Sequence, residues 1–266
     1  MGFVERLRAL DVQSATTIAL ESMKYLLRFT GDNDFGKKFD MECKRLLAAR
    51  PTAVVLYNSI ERIRKRKNSQ TIKSVIKELQ ESKSKAARNA SKIFNKKSVV
   101  LTHCHSSFVV EALVKNKTKI NEVIVTETRP REQGVITARE LIKNGIRVSF
   151  IIDSAISDFI GKADLVVVGA DALRKEGLIN KVGTHPLALV ANENKKPFYV
   201  ITSSFTFDKR QKIIMEQRPA SELQHKHLNG ARIFNPAFDI TPWKYVRTVV
   251  TETGIIKPSR LKRLVK

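Results

Sequence analysis

The sequence predicts an α/β protein with a helical N-terminal domain over residues 1–96 and a parallel-sheet domain over residues 97–266. Three observations carry this reading. Apolar residues recur at helical spacing through the first part of the chain. From Lys97 onward, short β-branched runs alternate with helical runs. Those short runs are almost continuously apolar, the pattern of strands covered on both faces.

The helical part has three periodic segments. From Val12 to Phe29, residues Ile18, Leu20, Met23, Leu26 and Leu27 fall at helical spacing, and Ala53 to Ile63 repeats the pattern after Arg50-Pro51-Thr52. Ile72 to Phe94 places Ile72, Val75, Ile76, Leu79, Ala86, Ala87, Ala90 and Ile93 on one stripe with lysines opposite. The rhythm then changes to SVVLTH, a helical stretch from Phe108 to Val114, NEVIVTE, TARELIKNG, RVSFIID, SAISDFIGK and DLVVVGAD. Strands alternating with helices predict crossover connections and a parallel sheet. There is no fixed-period repeat and no low-complexity linker.

Composition bounds the function. With 266 residues, 42% hydrophobic, 11 Gly and 8 Pro, the chain has the makings of a normal core. The opening MGFVERLRAL lacks a continuous apolar stretch, and no later stretch approaches the ~18 apolar residues of a membrane helix, so a cytoplasmic protein is expected. The 2 cysteines, Cys43 and Cys104, are too few for a disulfide framework and have no C-x-x-C spacing, which fits a reducing compartment. Lys plus Arg number 49 against 26 Asp plus Glu, a net charge of +23. Such a field attracts anions: a phosphate ligand, RNA or an acidic protein. The excess clusters at Arg62 to Lys67, at Lys83, Lys85, Arg88, Lys92, Lys96 and Lys97, and at Arg260, Lys262, Arg263 and Lys266. These runs hold no aromatic platform for base stacking beyond Phe94, which suits the core, so solvated helix faces compete with RNA contact.

Parallel sheets place ligands at the carboxyl ends of their strands. After SVVLT comes His103-Cys104-His105-Ser106-Ser107, and after EVIVT comes Glu127-Thr128-Arg129-Pro130. After VSFII comes Asp153-Ser154, and after LVVVG comes Ala170-Asp171, followed by Gly177, Asn180, Lys181, Gly183 and Thr184. A thiol, a carboxylate, a guanidinium and an ammonium on one rim suit binding a phosphorylated polyol and moving its protons. Each residue also has a plainer use. Cys104 fits either an inert strand-end side chain or a thiol whose pKa Arg129 or Lys181 lowers. Asp171 fits either a turn cap or the site, and Gly169 permits close ligand approach. His103 and His105 share at most one side of a strand, a poor start for zinc, so no metal and no cofactor are expected. Motifs of dinucleotide dehydrogenases, P-loop NTPases and serine hydrolases are absent.

THCHSS (102–107), VTETRPREQGVITARELIKNGI (125–146), ADLVVVGADAL (163–173), INKVGTHPLAL (179–189) and NPAFDITPWKYVRTVVTETGII (235–256) resemble the shared core of the translation initiation factor 2B α/β/δ family. ARPTAVVLYN (49–58) resembles its helical half. The resemblance implies a Rossmann-like C-terminal domain and a homodimer or homohexamer. Two branches lie within the family. In the ribose 1,5-bisphosphate and methylthioribose 1-phosphate isomerases, resemblance assigns Cys104 and Asp171 to proton transfer, and Ser106, Asn180 and Lys181 to substrate contact. Arg50 and Arg129 would hold phosphate, where a forked guanidinium suits paired oxygens.

The second branch is the archaeal initiation-factor-2B-like proteins, relatives of the subunits that contact the α subunit of initiation factor 2. The isomerases carry R-G-A-G or R-G-A-P early in the first helical segment, whereas this chain has Gln13-Ser14-Ala15-Thr16. Losing that arginine removes a charge-assisted contact worth about 1.5–3 kcal/mol, and losing its glycines closes the backbone approach. This departure, the compact length and the Thr241–Tyr245 ending rank first a factor-like protein that docks on initiation factor 2 and keeps a pocket for a sugar phosphate or nucleotide. A working isomerase ranks second.

Overall fold

The computed structural model describes residues 2–9, 14–30, 36–212, 215–223 and 230–265, with Lys262 described for its backbone alone. The sequence expectations at Val12, Gln13, Lys266 and the Lys262 side chain lie outside the described residues. The helical part comprises α1 (Phe3–Arg8), α2 (Ala15–Leu27), α3 (Lys37–Ala49), α4 (Val54–Lys65) and α5 (Ser69–Asn89). The remainder comprises β1 (Ser98–Thr102), α6 (Ser107–Lys115), β2 (Ile120–Thr126), α7 (Gln133–Lys143), β3 (Val148–Ile151), α8 (Ile156–Ile160) and β4 (Leu165–Val168). It continues with β5 (Ala172–Leu173), β6 (Leu178–Lys181), α9 (Thr184–Glu193), β7 (Phe198–Ile201), β8 (Phe238–Thr241), β9 (Thr248–Thr251), β10 (Gly254–Ile256) and α10 (Pro258–Leu264).

Among the described residues, seven strands form one sheet in the order β10-β9-β7-β4-β1-β2-β3, parallel except for β10. Alternation along each strand sends side chains to opposite faces. Val100, Val123, Val125, Leu165 and Val167 pack under α6, α7 and the end of α5, while Leu101, Ile124, Val166, Val168 and Val200 pack under α8, α9 and α10. Burial on both faces is why these strands read as unbroken apolar runs. A second sheet, β5-β6-β8, is antiparallel and stands over the carboxyl ends of the first.

Helices α2 to α5 enclose their own core around Met23, Leu26, Phe39, Leu56 and Ile60. Helix α5 starts at an Asn68 cap, whose side chain accepts from Thr71 N at 2.7 Å. Its first half buries Ile72, Val75 and Leu79 in that core, and its second half buries Ala86 and Ala87 against the large sheet. The helical part is also tied across at α4. Asn58 Nδ2 donates to the carbonyls of Phe205 (2.7 Å) and Phe207 (2.8 Å), and the Arg62 guanidinium lies 3.8 Å from the centre of the Phe205 ring. Among the described residues, no helix is long and apolar enough to cross a membrane.

Candidate active site

The sheet order reverses between β1 and β4. From β1 the chain winds outward to β2 and β3, and from β4 it winds the other way to β7 and β9. Loops leaving two such strands diverge and open a crevice at their carboxyl ends. Here that crevice is a cavity of about 410 Å³. Cys104 reaches it from the end of β1 and Asp171 from the end of β4, so the two straddle the reversal.

Cys104 adopts φ 70°, a left-handed conformation that costs a non-glycine residue energy and survives only where its surroundings impose it. Two threonines impose it. Cys104 N donates to Thr128 Oγ1 (2.8 Å), and Thr137 Oγ1 donates to Cys104 O (3.1 Å). Thr128 is itself positioned by Asp153, whose carboxylate accepts from Thr128 N (2.8 Å) and Arg129 N (2.7 Å). Three strand ends thus hold one thiol. Burial pushes that thiol up to about 12, and the Asp171 charge adds to the rise, while Lys181 opposes it. This corrects the expectation of a lowered pKa: near neutrality Cys104 is a protonated acid. Asp171 is raised to about 6 by burial, with Glu216 adding to the shift and Lys181 and Arg50 opposing it.

The left-handed turn at Cys104 also separates the flanking imidazoles. His103 Nε2 donates to Val182 O (2.9 Å), so Nδ1 accepts from Thr126 Oγ1 (2.7 Å), and burial lowers its pKa. His105 Nδ1 instead meets Thr137 Oγ1 (3.1 Å), with Glu140 4.0 Å from Nε2. The side shared by two histidines in the sequence reading does not form, because Cys104 breaks the strand alternation. No group of three His, Cys, Asp or Glu residues suited to a metal occurs among the described residues.

Gly183 completes the support of His103. Its φ is +103°, and an added Cβ would lie 2.8 Å from His103 Cε1 and Nε2. The next turn starts α9, where Asp239 Oδ2 accepts from Gly183 N (2.8 Å) and His185 N (3.0 Å). Gly183→Ala is expected to lower stability by about 2 kcal/mol, read as a melting-temperature fall of roughly 4–8 °C by circular dichroism. An unchanged melting temperature would remove this account of the glycine.

Arg50, Ser106, Asn180 and Lys181 all line the cavity, as the sequence reading expects of substrate contacts. Lys181 is buried, and that burial lowers its pKa. Asn180 Nδ2 donates to Thr184 Oγ1 (3.0 Å), and the Ser106 hydroxyl accepts from Val109 N (3.5 Å) to cap α6. Gly169 is needed less for a ligand than for this cap, since a Cβ there would stand 2.6 Å from Ser106 Oγ.

Arg129 does not line the cavity, which corrects its expected placement. Its backbone is fixed to Asp153, and its guanidinium points to Glu132 Oε1 (3.4 Å), Pro130 O (3.4 Å) and Leu223 O (3.5 Å). Arg131 and Arg218 supply the charge instead. Arg218 is braced by Glu216 (2.8 Å) and Glu222 (2.6 Å). Sequence reasoning missed both. Arg131 lay two residues beyond the chosen arginine, while Arg218 sits in an irregular segment after β7 that carries no strand or helix signal.

The replaced clasp still borders the cavity. Ser14, Ala15 and Thr16 line it at the N-terminus of α2, and Ser14 holds φ 70°, a conformation ordinarily reserved for glycine. Ser14 makes no side-chain cap hydrogen bond to that helix end. The expected closure of the backbone approach is therefore not seen at the described residues, although the arginine is absent.

A profile of the initiation factor 2 subunit family matches residues 11–258. Ribose 1,5-bisphosphate isomerase of Archaeoglobus fulgidus is 34% identical, over 96% of this chain and 88% of its own length. Ribose 1,5-bisphosphate isomerase of Methanocaldococcus jannaschii is 35% identical, over 96% and 90%. Among solved structures, Pyrococcus horikoshii OT3 translation initiation factor eIF-2B superposes with a TM-score of 0.84 at 30% identity, over 97% of this chain and 96% of that one. With the strand order and the two-part architecture, these matches define the class: the chain belongs to the initiation factor 2 subunit family.

Proposed function

We infer that the protein is an aldose-ketose isomerase acting in the cytoplasm on ribose 1,5-bisphosphate or a closely related aldose 1-phosphate. The observation that carries this reading is the pairing, across the β1/β4 reversal, of a thiol protonated up to about 12 with a carboxyl poised near 6. Both line a cavity that also holds Arg50, Arg131, Lys181 and Arg218. One group can give a proton while the other takes one at the same pH, and the cations suit a doubly phosphorylated substrate.

Phosphate on O1 prevents the ring from opening as a free hemiacetal does. Cys104 donates its proton to the ring oxygen as the C1–O bond breaks, and Lys181 stabilises the thiolate left behind. Hydrogen then moves from C2 to C1 as Asp171 accepts the proton of the C2 hydroxyl, leaving a C2 carbonyl. Proton return from Asp171 to Cys104 resets the site.

The sequence ranks docking on the α subunit of initiation factor 2 first. Two relatives named ribose 1,5-bisphosphate isomerase over 96% of the chain reverse that order. The acid-base pair and the left-handed backbone that Ser14 presents to the cavity support the same choice. Purified protein supplied with ribose 1,5-bisphosphate is expected to form ribulose 1,5-bisphosphate, followed by phosphorus NMR. No turnover, together with saturable binding to initiation factor 2 α, would reinstate docking. The rate should also titrate with Asp171. Its pKa is raised to about 6, so the carboxyl is protonated and idle below that pH. The value of kcat/KM is expected to rise through about pH 6 and then level off. A flat profile from pH 5 to 8 would exclude Asp171 as the base.

A further inference from the structure

We propose that the amino-terminal edge of the large sheet, opposite the cavity, docks the phosphate backbone of a nucleic-acid duplex. The six parallel strands run in the order β3-β2-β1-β4-β7-β9, so their first residues line one edge. Each strand has a cation within three residues before its start: Arg147, Lys119, Lys97, Lys162, Lys196 and Arg247 in that spatial order. Lys96, Lys117, Lys195 and Lys244 add a second charge beside four of them. In sequence these residues are scattered over some 150 positions, and only Lys96 and Lys97 fall in a visible basic run. The winding of the chain assembles the row.

Acids do not cancel it. Of the six cations, Arg147 alone has a carboxylate partner among the described residues, Glu122 at 3.9 Å. Asp164 lies on the same edge and keeps its charge while one oxygen accepts from Val99 N at 2.7 Å, and Glu193 ends α9 two residues before Lys195, so the cations named remain in clear excess. Lys119 Nζ donates to Ser91 O (2.6 Å) and Lys196 Nζ to Gly161 O (3.0 Å), contacts that orient a charge without neutralising it. The run at α4 differs. There Arg62, Arg64 and Lys67 pair with Glu78, Glu61 and Asp40 at 2.5–2.8 Å.

Backbone conformation marks the same edge independently. Lys97 (φ 62°) and Lys195 (φ 55°) occupy left-handed positions where glycine or asparagine is the less strained choice. Strand spacing of ~4.8 Å over five intervals gives a row of about 24 Å. That length covers about seven base pairs of duplex axis at ~3.4 Å each, enough to reach phosphates on both sides of a groove. Lys162 and Lys244 cover the rings of Phe159 and Tyr245, at 4.5 and 4.9 Å from the ring centres, which leaves Phe150 on the outer strand as an exposed ring and no series of bare aromatics along the row for stacking successive unpaired bases. Those features favour a duplex backbone, bound without regard to sequence.

The test uses the full chain and a fluorescent duplex of about 20 base pairs, with fluorescence anisotropy followed across salt concentrations. Lys97→Glu, Lys119→Glu and Arg247→Glu combined should weaken binding at least tenfold and flatten the dependence of log affinity on log salt. Lys65→Glu, Arg66→Glu and Lys73→Glu combined, which reverse the same number of exposed cations on the helical part, should leave both nearly unchanged. Melting temperatures of both variants report that the fold persists. Equal weakening by the two variants would overturn the proposal, since net charge alone would then account for binding. Binding to vesicles of anionic lipid without binding to the duplex would overturn it too, assigning the edge to membrane surfaces.

Discussion

Cys104→Ser and Asp171→Asn are each expected to lower kcat for ribose 1,5-bisphosphate by roughly 10²–10⁴-fold, the range over which positioned proton transfer contributes to rate. A serine hydroxyl is a far poorer acid than a thiol, so the ring oxygen would open without a partner. Asparagine keeps the shape of Asp171 but cannot take a proton. Neither change should unfold the chain. Cys104 is held through its backbone by Thr128 and Thr137. Asp171 carries a burial penalty in its charged form that asparagine removes, so that variant should melt no lower than the parent at neutral pH. The check is initial rate beside a melting curve with and without substrate. A variant that still shows substrate-induced stabilisation and retains more than a tenth of the parent rate would remove the corresponding residue from the mechanism.

Asp208→Ala is expected to cost about 3 kcal/mol of stability, the low end of the penalty for breaking a buried ion pair from one side, because Glu176 stays beside Arg174. Asp208 Oδ2 accepts from Arg174 Nη1 at 2.6 Å, and Arg210 grips both oxygens at 2.8 and 3.0 Å. Arg174 is 2% exposed, so deleting the carboxylate removes the closest counter-charge of a buried guanidinium and leaves it Glu176 Oε2 at 3.2 Å with the carbonyls of Arg210 and Gln211. The loss would spread to the cavity, because Arg210 Nη1 also donates to Pro51 O at 2.8 Å, next to Arg50 and Thr52. Burial alone would raise the pKa of Asp208, but the hydrogen bonds from Arg210 and Arg174 outweigh it and hold it below its ordinary 3.8. A carboxyl depressed in the folded state stabilises above the unfolded value and loses that contribution as pH falls through the folded one. The gap between parent and variant in urea midpoints should therefore be full at neutral pH and narrow as pH drops below 3.8. A gap independent of pH would contradict the ion-pair account.

The large sheet was legible because burial on both faces leaves runs such as Leu165 to Val168 without a polar residue. The rim followed from it, since whatever comes after such a run stands at the crevice. What escaped were features without period. Helix α3 buries Phe39, Cys43 and Leu46 but also carries Met41 and Leu47 off that stripe among its charged residues, so its apolar spacing was blurred. Strands β5, β6 and β8 are two to four residues long, and β6 pairs with β8 far along the chain, Asn180 with Asp239 for example. Arg218 enters the cavity through the same long-range folding. The pKa of Cys104 was misjudged for a related reason. Sequence shows which cations stand nearby, but the desolvation that outweighs Lys181 is a property of the folded cavity wall.

The cavity has one further consequence, through its walls. One side comes from the helical part, Ser14 to Ile18 and Arg50 to Val55, and the other from strand ends of the α/β part. A molecule lodged there is a removable staple between two halves of one chain. Free ligand at a hundred times its dissociation constant adds about 2.7 kcal/mol to folding by mass action. In a cell that clears unfolded chains, the amount of this protein is then expected to rise with the supply of such a ligand, whether or not a turnover follows.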